Sequence, residues 1–126
     1  MILLDTNFLI DLGRFGISID EIDKVVNERY ELAVLSSVVN ELKSIAGTQQ
    51  EESKFAKVAL MILDLRKVKI IQNEKTADQA FLDIAQNEAD VTNIVVGTND
   101  VELRKRLEEK GIRCIYLRGK KKLEIK

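Results

Sequence analysis

Residues 93–117 read NIVVGTNDVELRKRLEEKGIRCIYL. A short run rich in Val and Ile, 93–97, leads into an amphipathic stretch over 99–110. That stretch stops at Gly111, the residue type expected just past a helix C-terminus. A second apolar run, 113–117, follows at once. Strand, helix and strand in such close succession predict a βαβ unit, whose two strands run parallel because the helix carries the chain back to its starting edge. Runs this apolar suit strands buried on both faces of a sheet.

Working outward, MILL (1–4), ELAVLS (31–36) and VKII (68–71) add three more such runs and bring the expected strands to five. Helical patterns lie between them. Over 18–29, Ile19, Ile22, Val25 and Val26 share a face, with Ser18 as N-cap and Glu21 at capping-box spacing. Helices over 37–46 and 51–67 are separated by the turn 47–50, and in the second Phe55, Val58, Ala59, Ile62 and Leu65 recur at helical spacing. A further helix over 76–88 offers Ala80, Phe81, Ile84 and Ala85 to the core. No linker, repeat or low-complexity segment divides the chain, so 1–126 reads as one α/β domain, doubly wound in three layers. Sheets of this kind bind ligands beyond the carboxyl ends of their strands.

Composition narrows the chemistry. The chain contains no His, which removes imidazole bases, Ser-His triads and most zinc sites. Cys114 is the lone cysteine and lies in an apolar run, so it is expected in the core. No stretch approaches the roughly 18–20 apolar residues of a membrane span, and Asp5 inside the first β-like run is unlike a signal peptide. A cytosolic protein with no membrane partner is expected. Charge is lopsided. From Arg104 onward ten basic residues face three acidic ones, a balance of +7, which leaves −8 on the rest of a chain whose net charge is −1. A basic end on an acidic body suits a protein that meets a polyanion with one surface and holds cations in another, although a charge run can equally be a solvated tail.

Two acids stand where the sheet rule points. MILL runs into Asp5-Thr6-Asn7 and IVVG into Thr98-Asn99-Asp100, so Asp5 and Asp100 come within metal-bridging distance if those strands are neighbours. Glu41 lies beyond another strand end and Asp78 in the first turn of its helix, and all four can converge on one rim. Each has an ordinary structural reading as well: helix caps for Asp5 and Asp100, dipole complement for Asp78 and a solvated helix position for Glu41. Asp11 and Asp83 lie farther off and are read as solvated or capping. A cluster of carboxylates repels itself unless a cation neutralises it, and hard oxygen ligands select Mg²⁺ or Mn²⁺. Such ions activate water against a phosphodiester without imidazole help.

LLDTNFLID at the start, VVNELKSI around Glu41, TADQAFLDIA around Asp78 and IVVGTNDVELRKRLEEKGIRCIYLR near the end together resemble the PIN-domain nucleases. The last segment is most similar to small archaeal members akin to the ribosomal RNA processing nucleases of the small-subunit processome. A sibling branch comprises the ribonuclease toxins of toxin-antitoxin pairs. The resemblance implies a parallel sheet of order 3-2-1-4-5 and Mg²⁺- or Mn²⁺-dependent RNA hydrolysis. It makes Asp5, Glu41, Asp78 and Asp100 the metal-binding catalytic acids and sets Thr98 beside the metal. The processing branch carries two adjacent acids where this chain has Asp78-Gln79, which removes one carboxylate. Arg104, Lys105, Arg106, Arg118, Lys120 and Lys121 are the expected phosphate contacts, while few aromatics argue against a base-stacking platform. An endoribonuclease of ribosomal RNA is the first reading. A toxin held by an antitoxin and a non-catalytic RNA-binding assembly factor are the alternatives. A homodimer is suggested by analogy alone.

Overall fold

The computed structural model describes residues 1–86 and 94–126. Strands are β1 (Ile2–Leu4), β2 (Leu32–Leu35), β3 (Lys69–Ile71), β4 (Val95–Gly97), β5 (Arg113–Arg118) and β6 (Lys122–Ile125). Helices are α1 (Thr6–Arg14), α2 (Ile22–Val25), α3 (Ser36–Ala46), α4 (Glu52–Leu65), α5 (Ala77–Gln86) and α6 (Val101–Glu109). One sheet of order β3-β2-β1-β4-β5-β6 contains all six strands, parallel except for the antiparallel β5–β6 pair. The expected order 3-2-1-4-5 is therefore present, extended by one strand. The end of the helix expected over 76–88, and residue 93 of the strand expected over 93–97, lie outside the described residues.

The extra strand comes from the basic end. Gly119 and Lys120 both adopt left-handed backbone (φ 62° and 63°), and the three-residue loop they open, 119–121, folds β6 back along β5. Leu123 of β6 is buried, so this end of the chain is part of the sheet. The helix expected over 18–29 is correspondingly shorter. Ser18 does cap, accepting the Asp20 N–H at 3.1 Å, but only a 3₁₀ turn, Ile19–Glu21, and the four residues of α2 follow. Ile19, Ile22 and Val26 are buried there, and the chain then extends toward β2.

The central strands carry the core. Ile2, Leu3 and Leu4 are all buried, as are Val96 and Gly97 beside them and Ala33, Val34 and Leu35 on the other side. Helices α1, α3 and α4 pack together, and α5 packs with α6. Phe8 of α1 sits with its ring close to Gly97, where a Cβ would stand 3.2 Å from it, so the glycine lets α1 settle on β4. Cys114 is free and fully buried, and burial pushes its thiol up to about 12, which keeps it an inert core group.

Helix α4 ends in a conformation its sequence does not favour. Lys67 is left-handed (φ 50°), while its N–H donates to the Asp64 carbonyl and the Val68 N–H donates to the Leu63 carbonyl. That position is ordinarily glycine. Lys67→Gly should stabilise the protein by about 0.5–1 kcal/mol, read as a raised midpoint in thermal unfolding; an unchanged or lowered midpoint would contradict the assignment.

Candidate active site

The chain leaves β1 directly into Asp5, which closes the start of α1. One carboxylate oxygen accepts the Thr6 N–H at 2.8 Å, and the other accepts the Thr98 hydroxyl at 2.9 Å. Asp5 is 6% exposed and Thr98 fully buried. Burial raises the Asp5 carboxyl from 3.8 to about 6; the Thr98 and Thr6 bonds oppose that rise, and the charges of Asp78 and Glu41 add to it.

Thr98 serves two acids. While its hydroxyl donates to Asp5, the same oxygen accepts the Asp100 N–H at 3.2 Å. Asp100 is the N-cap of α6, its side chain accepting the Leu103 N–H at 3.0 Å. Glu41 lies on α3 and takes a hydrogen bond from the Thr6 hydroxyl at 3.2 Å. Asp78, the second residue of α5, has its carboxyl raised by partial desolvation first and by Asp100 second, with Arg106 opposing. Each of the four acids therefore touches or feels another, through Thr6, through Thr98 or through charge. The capping roles read for Asp5 and Asp100 hold as well, so capping and clustering coexist in the same side chains.

Among the described residues no three carboxylates stand close enough to hold one ion as they are disposed. The chemistry of the set still fits a hard divalent cation: oxygen donors only, with a buried carboxylate whose raised pKa a bound cation would bring down. Asp5, Asp78 and Asp100, with Glu41 alongside, are the residues that would hold it.

The basic residues divide. Lys105, Arg106 and Lys121 are exposed. Arg104 instead lays its guanidinium over the Tyr116 ring at 3.7 Å, and its Nε is buried without a hydrogen-bond partner. Arg118 pairs with Glu124 at 2.7 Å, and Lys120 lies 5.5 Å from the centre of the Phe15 ring. Asp83 pairs with Lys75, and the Gln79 N–H donates to the Thr76 hydroxyl at the start of α5.

One participant carried no sequence signal. Asn99 donates to Asp11 at 3.0 Å and accepts the Leu117 N–H at 2.8 Å, tying the loop that bears Thr98 and Asp100 to α1 and β5. Asp11 in turn pairs with Arg14, which also reaches Glu52. The partners of Asn99 lie 88 and 18 residues away in the chain, a spacing no local pattern reveals.

Residues 2–120 match the model of the PIN like domain. The chain belongs to that family. This PIN-like chain is 32% identical over 127 aligned positions to Ribonuclease VapC4 of Methanocaldococcus jannaschii, covering 98% of this chain and 95% of the relative. Among solved structures it resembles that of the PIN domain endonuclease Utp24, with a TM-score of 0.77 over 99% of this chain and 90% of the other. Identity there is 19%, so that likeness concerns the fold.

The raised Asp5 carboxyl has a testable sign. Its folded pKa of about 6 lies above the unfolded 3.8, so the folded state binds more protons between those values and metal-free stability falls as pH rises through that window. At pH 7.5 without metal, Asp5→Asn should therefore melt higher than wild type, by about 1–3 kcal/mol, and the difference should close near pH 4. Thermal unfolding in EDTA at both pH values checks this. A variant less stable at pH 7.5 would mean the buried charge is not the destabilising element inferred.

Proposed function

We propose that this chain is a Mg²⁺- or Mn²⁺-dependent endoribonuclease that hydrolyses phosphodiesters of structured RNA, with ribosomal RNA precursors as its substrate class. The observation that carries the reading is the buried Asp5 carboxylate, held by Thr98 against the Asp100 loop and raised first by its burial and then by the charges of Asp78 and Glu41. Membership of the PIN-like family and the full-length similarity to a ribonuclease support it. A divalent ion bound among these acids would generate the attacking hydroxide and offset charge on the leaving oxygen. The chain's own part is placement. Thr6 and Thr98 hold the Asp5 oxygens, Thr98 sets the Asp100 backbone beside them, and α3 and α5 present Glu41 and Asp78 to the same rim. Lys105, Arg106 and Lys121 are exposed to contact phosphates, with Arg104, Arg118 and Lys120 engaged on neighbouring side chains in the absence of RNA. A cytoplasmic location agrees with this substrate, and among the described residues no helix is long and apolar enough to cross a membrane.

A second reading, a ribonuclease toxin masked by a protein antitoxin, draws on the exposed apolar side chains Val58, Met61 and Leu65 of α4, which a partner would cover. Growth arrest on expression, relieved by a co-expressed neighbouring gene product, distinguishes it from a processing enzyme. The assembly-factor alternative, motivated by Gln79, predicts salt-sensitive RNA binding without any cutting.

Purified protein incubated with ribosomal RNA precursor fragments or generic single-stranded RNA should cut in Mn²⁺ or Mg²⁺ and not in EDTA. Asp5→Asn and Asp100→Asn should each lose roughly 100-fold or more, because removing a metal ligand costs at least as much as removing an outer-shell partner. Equal cutting by the folded Asp5→Asn variant would remove the proposal.

A further inference from the structure

Helix α3 begins without a cap of its own. Its N-cap position is Leu35, which supplies no side-chain acceptor to the free N–H groups of the first turn. The acceptor comes instead from Asn73, in the loop after β3. The Oδ1 of Asn73 accepts the Ser37 N–H and the Ser36 hydroxyl, both at 3.0 Å, and the Asn73 N–H donates to the Ser36 hydroxyl oxygen at 3.0 Å. Its amide nitrogen donates to the Ser37 hydroxyl at 2.9 Å, again on α3, and to the Lys75 carbonyl at 2.6 Å. Both ends of one half-buried side chain are thus committed.

The one side chain reaches the starts of two helices. Lys75 immediately precedes Thr76, whose hydroxyl accepts the Gln79 N–H at 3.3 Å and whose carbonyl accepts the Ala80 N–H at 2.9 Å, so the start of α5 is set there. Lys75 is held a second time through its ion pair with Asp83. Helix α3 carries Glu41 and α5 carries Asp78 as its second residue. The strands between them, β2 and β3, are joined by their ladder, but past Leu35 and Ile71 that ladder has ended. Beyond it, Asn73 links the two helix starts.

We propose that Asn73 is a positioning residue that fixes Asp78 relative to Glu41, and so shapes the divalent-cation site that the proposed nuclease activity requires. The inference rests on that reading for its purpose, and its geometry is independent of it. An amide is needed because the site demands an acceptor toward α3 and a donor toward the Lys75 carbonyl at once. Ionised aspartate retains the first and lacks the second. It also places negative charge at a helix N-terminus, where it is favourable.

The experiment compares wild type, Asn73→Asp and Asn73→Ala by metal-free thermal unfolding, by calorimetric Mn²⁺ titration, and by RNA cleavage. Asn73→Asp should melt at or above wild type yet bind Mn²⁺ about tenfold more weakly, the low end of the effect of removing a group that orients metal ligands. The added negative charge would by itself favour a cation, so weaker binding marks lost placement. Asn73→Ala should lose both stability and affinity. Unchanged Mn²⁺ affinity in Asn73→Asp overturns the proposal, and so does a loss of affinity in Asn73→Asp that comes with a matching loss of stability in that same variant, which would make Asn73 a purely structural tie. A wild type that binds no Mn²⁺ overturns it together with the cation site. A wild type that binds Mn²⁺ but cuts no RNA removes the nuclease reading alone, and the affinity comparison still decides the role of Asn73.

Discussion

Strands β1 and β4 lie side by side in parallel, Ile2 opposite Val95, Leu3 opposite Val96 and Leu4 opposite Gly97, and the Asp5 N–H extends the ladder to the Gly97 carbonyl at 2.8 Å. Everything at the rim follows from that register. Both strands end at the same level, so the residues that leave them, Asp5 and Thr98, meet at hydrogen-bonding distance although 93 positions separate them. A one-residue slip would turn the side chains of one strand to the opposite face of the sheet and break the pair. Because the sheet reverses its direction of winding between β1 and β4, the helices that follow diverge to opposite faces and leave a crevice at their starts.

The crevice gathers negative charge at a cost. Desolvation is the largest influence on the Asp5 carboxyl and on that of Asp78, and the neighbouring acids push both in the same direction. Only part of this is offset by hydroxyl and backbone donors and by Arg106. A fold that keeps such a group retains a local instability which a cation would relieve, the usual signature of a functional site. The basic residues, by contrast, are gathered on α6 and the β5–β6 hairpin, where several are steadied by aromatic rings or by Glu124. The basic helix nevertheless borders the acids, since Asp100 caps it and Arg106 acts on Asp78.

Much of this was legible in the residues themselves. The alternation of apolar runs and amphipathic stretches predicted the five parallel strands, and the sheet-edge rule picked out Asp5 and Asp100. Helix α1 was harder to see, because the Asp-Thr-Asn cluster at its start reads as a turn and Phe8, Leu9 and Ile10 read as a continuation of the apolar run of β1, although Asn7, Asp11 and Arg14 do recur at helical spacing as its polar face. Strand β6 was hidden among lysines, its single fully buried anchor being Leu123, and its turn uses Gly119-Lys120 in place of the common Asn-Gly pair. The helix over 18–29 had the right period and cap, yet the chain must leave it after Val25 to reach β2. Asn73 and Asn99 were invisible for a different reason: an amide that joins distant segments has neither period nor spacing, and it acquires meaning only once the strands are paired.

The acids at the carboxyl ends of β1 and β4, with Asp78 of α5, are proposed to form one divalent-cation site. Anomalous diffraction from crystals soaked in Mn²⁺ tests it most directly. An anomalous peak is expected about 2.1 Å from an Asp5 carboxylate oxygen, shared with Asp78 or Asp100. No peak at saturating Mn²⁺, or one confined to acids elsewhere on the surface such as Asp20 and Asp23, would contradict it.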